Sequence, residues 1–147
     1  SHYYHSLIAF IRDHGLENSV KFLGQRRDTD QLMRRATALI LCSPYEGFGL
    51  TFIEAARNGC LVIGRYTTGV KEQMDNGKKL EGDDIALAFL TANQLALQMT
   101  DVASHSPNYY NLYRERAYRT ACSEIYNQQR NIHQIFDFYE QIIQKKI

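Results

Sequence analysis

Two short runs with no charged side chain, Ala38-Leu39-Ile40-Leu41-Cys42 and Leu61-Val62-Ile63-Gly64, flank a stretch with helical spacing at Leu50–Asn58. Continuous apolar runs of four or five residues mark strands buried on both faces. Two such strands joined through a helix cannot form a hairpin. They require a parallel sheet covered by helices, an α/β domain. In such sheets ligands bind beyond the carboxyl ends of the strands. Pro44 ends the first run, so the segment after it is the place to look for chemistry.

The rest of the chain fits that plan. Residues 3–14 carry Tyr4, Leu7, Ile8 and Ile11 at helical spacing, with Gly15 as a C-cap. Val20-Lys21-Phe22-Leu23 is expected to be a short strand ended by Gly24. Asp28 or Thr29 can cap a helix bearing Leu32, Met33 and Ala36. Gly59 stops the helix at 50–58, and Gly69 opens a short one through Met74, closed by Asn76-Gly77. From about residue 85 the pattern becomes helical, over Leu95–Val102, Tyr109–Tyr126 and Ile132–Ile143. Ile132, Ile135, Phe136, Tyr139, Ile142 and Ile143 form a stripe expected to dock the tail on the outside of the domain. The tyrosines Tyr109, Tyr110, Tyr113 and Tyr118 are expected to pack within their helix.

The 147 residues suit a single domain spanning 1–147, and 44% apolar content supports a core. A net charge of +1 argues against nucleic acid as a partner. No apolar run is long enough to span a bilayer, and the first residues lack a signal-peptide layout. The chain has no initiating Met and reads as a piece of a longer protein. Cys42, Cys60 and Cys122 show no metal-finger or CxxC spacing; Cys42 and Cys60 sit among apolar neighbours, and a reducing cytosol is the simple reading. No metal site is expected: Asp83-Asp84 read as a solvated loop, and His2, His5, His14, His105 and His133 form no ligand set. Arg26, Arg27, Arg34 and Arg35 read mainly as a solvated helix face. Lys71 and Glu72 are capping or site residues.

The segment after Pro44 reads Tyr45-Glu46-Gly47-Phe48-Gly49-Leu50-Thr51-Phe52-Ile53-Glu54. Gly47 and Gly49 let the backbone turn sharply and approach a ligand. The N–H groups of Phe48, Gly49 and Leu50 lie at a helix start, where the dipole favours an anion by roughly 0.3–1 kcal/mol. Glu54, on the helix, can accept both hydroxyls of a ribose. Glu46, across the turn, can accept hydroxyls of whatever the phosphate carries. A phosphate with a ribose on one side and a polyhydroxy group on the other is a nucleotide sugar. Paired-carboxylate hydrolysis would need the two acids facing each other about 5–10 Å apart across a glycosidic bond. A dinucleotide fingerprint lacks its third glycine.

At these residues the sequence resembles the family 4 retaining glycosyltransferases of the GT-B fold. Glu46 and Glu54 are spaced as in the family's E-x7-E motif. Val20–Gly24 is similar to its V-x-F-x-G strand, Asn58–Ile63 to x-G-x-P-V-I, and Thr68–Glu72 to G-G-x-x-E. Ile125-Tyr126 through Tyr139 resembles the closing F-S-W…Y helix. The match is specific over most of residues 14–75 and loose from 78 to 124.

The resemblance implies a Rossmann-like parallel sheet with flanking helices, as part of the C-terminal, nucleotide-sugar-binding domain, followed by a helical C-terminal tail. It implies Glu46 as the catalytic residue, contacting donor-sugar hydroxyls beside the anomeric centre, and donor binding by Gly47, Phe48, Gly49, Leu50 and Glu54. Gly24, Gln25 and Arg26 would border the nucleobase. The reaction implied is transfer of a sugar from a nucleotide diphosphate to a glycan or lipid-linked acceptor with retention, in cell-surface polysaccharide or lipopolysaccharide synthesis. No cofactor or divalent metal is implied. The implied location is the cytoplasm, with peripheral association at the inner face of the membrane open to the full-length protein. The family's upstream strand–helix units, with an Arg and a Lys for the diphosphate, and its acceptor domain lie outside this sequence, so this piece alone is expected to be inactive. Departures are Leu61 for Pro, Thr68 for the first Gly of the pair, and Asn127-Gln128 for Ser-Trp. A nucleotide-sugar epimerase or sugar phosphorylase of the same fold, or a non-catalytic interaction domain, are the alternatives.

Overall fold

A computed structural model describes residues 2–127 and 131–137. The two polar-free runs become neighbouring parallel strands, β1 (Ala38–Leu41) and β2 (Leu61–Arg65), with Ala38 opposite Leu61 and Ile40 opposite Ile63. A third strand, β3 (Leu87–Phe89), pairs in parallel with the other edge of β2. The order is β1-β2-β3, so β2 is central. Leu61 through Gly64 are buried accordingly. β1 departs from the expectation of burial on both faces: Ala38, Leu39 and Ile40 are half-buried. As an edge strand it is flanked on one side by a shallow apolar cavity of about 180 Å³, lined by Leu32, Met33, Leu39 and Cys60 among others. Cys42, just past its end, is exposed rather than set among apolar neighbours; Cys60 is buried.

Alternation along β2 sorts the core into two layers. Val62 packs with Phe52, Ile53, Ala55 and Ala56 of α3 (Leu50–Arg57) and with Val70 and Met74 of α4 (Thr68–Glu81). Ala117 and Ala121 of α6 (Asn111–Ala121) close that layer. Leu61 and Ile63 point the other way, to Phe89, Tyr110 and Val102 of α5 (Ala92–Ser104). α5 starts at a capping box in which Thr91 and Gln94 satisfy each other's backbone N–H. Arg57 ties α3 to the end of α6, donating to the carbonyls of Ala121 at 3.1 Å and Tyr126 at 3.3 Å. Tyr126 lies in a short 3-10 turn, Glu124–Tyr126.

The N-terminal helix α1 (His2–Asp13) ends as expected: Gly15 has φ +64°, and the Leu16 N–H bonds the Ile11 carbonyl in a Schellman closure. It buries no residue. Val20–Leu23 is not a strand; Val20, Phe22 and Leu23 are exposed. A strand persists only when its backbone groups are paired, and nothing described here pairs with this one. α2 (Thr29–Arg35) has Asp28 at its N-cap position without a capping bond, because Arg26 holds the carboxylate.

α4 overruns its expected end at Asn76-Gly77 by a full turn and closes at Gly82, φ +78°. Gly77 is needed for packing, not for a turn: a Cβ there would lie 2.1 Å from Ile85 Cδ1. β3 falls where a helical pattern was expected, and the run Tyr109–Tyr126 divides into α6 and the 3-10 turn. Of the tyrosines there, Tyr110 is buried and Tyr109 and Tyr118 are exposed. In the tail, residues 131–137 are helical but Ile132, Ile135 and Phe136 are exposed, so this part does not dock as expected. Tyr139, Ile142 and Ile143 lie outside the described residues.

Candidate donor-binding site

The loop from Ser43 to Gly49 leaves the carboxyl end of β1 and enters α3, as the apolar run and Pro44 implied. Gly49 is the N-cap of α3 in the left-handed region, φ +77°, with no side-chain cap. It leaves the helix start open to an outside acceptor. Among the described residues, no backbone N–H from Gly47 to Thr51 meets an acceptor. The first helical bonds are those of Phe52 and Ile53 to the Gly49 carbonyl, at 3.0 and 3.4 Å.

α4 fixes the shape of this loop. The Glu46 carbonyl accepts the Gly69 N–H at 3.0 Å, and the Glu46 N–H donates to the Thr68 hydroxyl at 2.8 Å. The Gln73 amide nitrogen donates to the Phe48 carbonyl at 2.5 Å. In a trans peptide the C=O and the following N–H point in opposite directions. With the Glu46 and Phe48 carbonyls drawn onto α4, the N–H groups of Gly47 and Gly49 point away from it. The loop thus presents the N–H donors of Gly47 and Gly49 to one side, a concavity of the kind that suits an anion.

Close approach makes this possible. A Cβ on Gly69 would lie 2.8 Å from the Gly47 carbonyl oxygen and 2.9 Å from that of Glu46. Thr68 has φ +44°, a conformation β-branched residues rarely adopt, which costs on the order of 1–3 kcal/mol. Thr68, where the resemblance implies a glycine, thus adopts a backbone conformation that favours glycine. Its hydroxyl bond to Glu46 offsets part of the cost.

The two acids flank this concavity. Glu46 is half-buried and Glu54 is exposed on α3, and neither carboxylate is in an ion pair or hydrogen bond among the described residues. Phe48 and Leu50 are exposed at 48% and 63%, so the loop's surface is open. Gly24, Gln25 and Arg26 are exposed, and Gly24 has φ +65°. Among the described residues, no hydrogen bond or ion pair joins them to the loop. Arg26 is engaged by Asp28, at 2.7 and 2.6 Å in a two-pronged pair that lowers the Asp28 pKa. Lys71 is likewise taken: it and the Tyr66 hydroxyl both reach Asp75 at 2.5 Å, holding that carboxyl below its usual range. Asp83 and Asp84 pair with Arg116 and Lys78. No described group of three His, Cys, Asp or Glu side chains is placed to hold a metal.

Two features carried no signal in the sequence. Gln73 is fully buried, between the Phe48 carbonyl and the Tyr126 hydroxyl, which donates to its Oε1. Burial raises the Tyr126 pKa, with Glu72 adding to the shift and an Asn76 hydrogen bond opposing it. Arg65, at the carboxyl end of β2, has a buried Nε with no partner among the described residues. The missing Cβ of Gly64 faces Val70 and Met74, so Arg65 leaves the sheet on the face away from α4. A cavity of about 480 Å³ along the open edge of β3, lined by Tyr66, Asp75, Lys78 and Gln98 among others, includes no residue of the 43–54 segment.

A run of backbone N–H groups without acceptors thus lies between two carboxylates without partners among the described residues. The family model for glycosyl transferases group 1 matches residues 1–120. The chain belongs to the group 1 glycosyl transferases. No curated protein matches its sequence. As a group 1 glycosyltransferase domain it has a role in glycosyl transfer and works on a sugar donor and an acceptor. Its three-stranded parallel sheet with flanking helices is the Rossmann-like core of a partial GT-B domain. Among the described residues, no helix is long and apolar enough to cross a membrane.

Proposed function

We propose that this domain binds the nucleotide-diphosphate sugar of a retaining glycosyltransferase at the Glu46–Glu54 segment. The observation that supports the reading most is the run of acceptor-free N–H groups from Gly47 to Thr51, with those of Gly47 and Gly49 turned away from α4, between two carboxylates unpaired among the described residues. The N–H groups would hold the diphosphate. As the bond from sugar to phosphate oxygen breaks, charge builds on that oxygen, and preorganised donors stabilise it without reorganising. Glu54, one helical turn into α3, would take the ribose hydroxyls. Glu46 would orient the transferred sugar beside its anomeric carbon. The acceptor, a glycan or lipid-linked sugar in cell-surface polysaccharide or lipopolysaccharide synthesis, is proposed from the family resemblance alone.

The assignment of the two acids separates by ligand. In calorimetric titrations of the full-length protein, Glu54→Ala should weaken uridine or guanosine diphosphate by about tenfold or more, the loss of a charged hydrogen-bond acceptor. Glu46→Ala should leave the nucleoside diphosphate nearly unchanged and weaken only the corresponding nucleotide sugar. Equal losses for both ligands in both variants would overturn the division of roles.

A further inference from the structure

Gln73 is the only polar side chain that α4 buries completely. A buried carboxamide is tolerated when both of its ends are paired. Here the Phe48 carbonyl can only accept, which turns the amide nitrogen toward it. The oxygen end then faces Tyr126, whose hydroxyl must donate. Tyr126 is itself held, its own carbonyl receiving Arg57 at 3.3 Å. Its ring also meets the Phe48 ring edge-on, with centroids 6.3 Å apart. A continuous set of contacts thus runs from the turn after α6 to the peptide between Phe48 and Gly49.

That peptide is the one most in need of a hold. Gly49 lies at φ +77°, where glycine has alternatives at little steric cost. Released, the Phe48 carbonyl could swing outward and present its negative end where the Gly49 N–H now stands. An anion would then meet repulsion in place of a donor. We propose that Gln73 and Tyr126 are positioning residues for the diphosphate: they pin the Phe48 carbonyl inward so that the Gly49 N–H faces the anion. The proposal rests on the reading of this loop as a diphosphate site.

The test uses Gln73→Met, which keeps the volume and loses the donor, Tyr126→Phe, which loses only the hydroxyl, and the double variant. Two readouts are taken on the folded protein: the Gly49 amide resonance without ligand, and affinity for inorganic pyrophosphate and for uridine and guanosine diphosphates. Gln73→Met should displace or broaden the Gly49 amide and weaken the diphosphates about tenfold, the equivalent of one hydrogen bond. Tyr126→Phe should do the same to a lesser degree. The double variant should lose no more than Gln73→Met alone, because the two act in series. A purely structural role would lower stability while leaving the amide and the affinity of the folded protein as they were, and that result overturns the proposal. If Gln73→Met does not fold, an unmoved Gly49 amide and unchanged affinity in Tyr126→Phe overturn it as well. A Gly49 amide displaced by Gln73→Met, where the wild-type protein binds none of the three probes, would overturn the diphosphate reading while upholding the hold of Gln73 on the loop.

Discussion

Two of the family-like segments of this chain end in opposite states. The loop at 43–49 is fixed by hydrogen bonds from Gly69 and Gln73 and by one that it donates to the Thr68 hydroxyl, and Phe52, just after it, is fully buried. The segment 20–24 has a sequence as strand-like as that of β1, yet Phe22 and Leu23 are exposed and the helix before it buries nothing. The difference is not propensity, since Val20 and Phe22 favour strands as much as Leu39 and Ile40 do. It is the presence of a partner. A motif becomes structure where neighbouring backbone and side chains complete it.

Stability should follow this contrast. Phe52→Ala, at a site with no exposed surface, should cost about 3–5 kcal/mol in denaturant unfolding. Phe22→Ala in the same protein should change stability by no more than about 0.5 kcal/mol. Comparable losses at the two sites would mean that the N-terminal segment is packed in solution. Between these extremes lies Gly69→Ala. Its Cβ would press on backbone atoms of Gly47, Phe48 and Glu46 that cannot move aside, and overpacking of this kind costs about 1–3 kcal/mol. It should also shift the amides of the whole loop, whereas an added methyl at Gly15 meets open space and acts only through the left-handed φ of +64° there.

The smallest effect concerns pH. The buried Tyr110 hydroxyl donates to Asp101, and desolvation first, then that bond, pushes its pKa up to about 12. A raised pKa in the folded state means stability that is fully present below the ordinary tyrosine value of about 10 and lost as pH rises through about 12. Tyr110→Phe should therefore flatten the alkaline limb of a stability–pH curve and leave the curve near neutrality with the same shape. An unchanged alkaline limb would remove Tyr110 as its source.

Much of the site was legible because glycine, proline and paired acids at a strand-to-helix junction leave few options. Pro44 ended β1, Gly49 became the N-cap, and Glu46 and Glu54 flanked the turn. The clamp from α4 was not legible. Gly69 reads as a helix start, and only the fold shows that its missing Cβ makes room for the loop. Gln73 looks like any helical glutamine until Tyr126, 53 positions on, is brought against it. Thr68 reads as a departure from a glycine pair, yet it adopts a left-handed backbone and adds a hydroxyl to the Glu46 N–H. β3 escaped because three residues, Leu87–Phe89, are too few to show a period. Gly77 reads as a helix stop, yet within α4 it leaves the space that Ile85 fills.

The proposed anion site stands or falls on its backbone amides. In a hydrogen-exchange measurement with millimolar uridine or guanosine diphosphate, the amides of Gly47 through Thr51 should be protected, while those of Val20–Leu23 exchange as before. Unaltered exchange across Gly47–Thr51 in a folded sample, with either nucleotide, would contradict a diphosphate site at this loop.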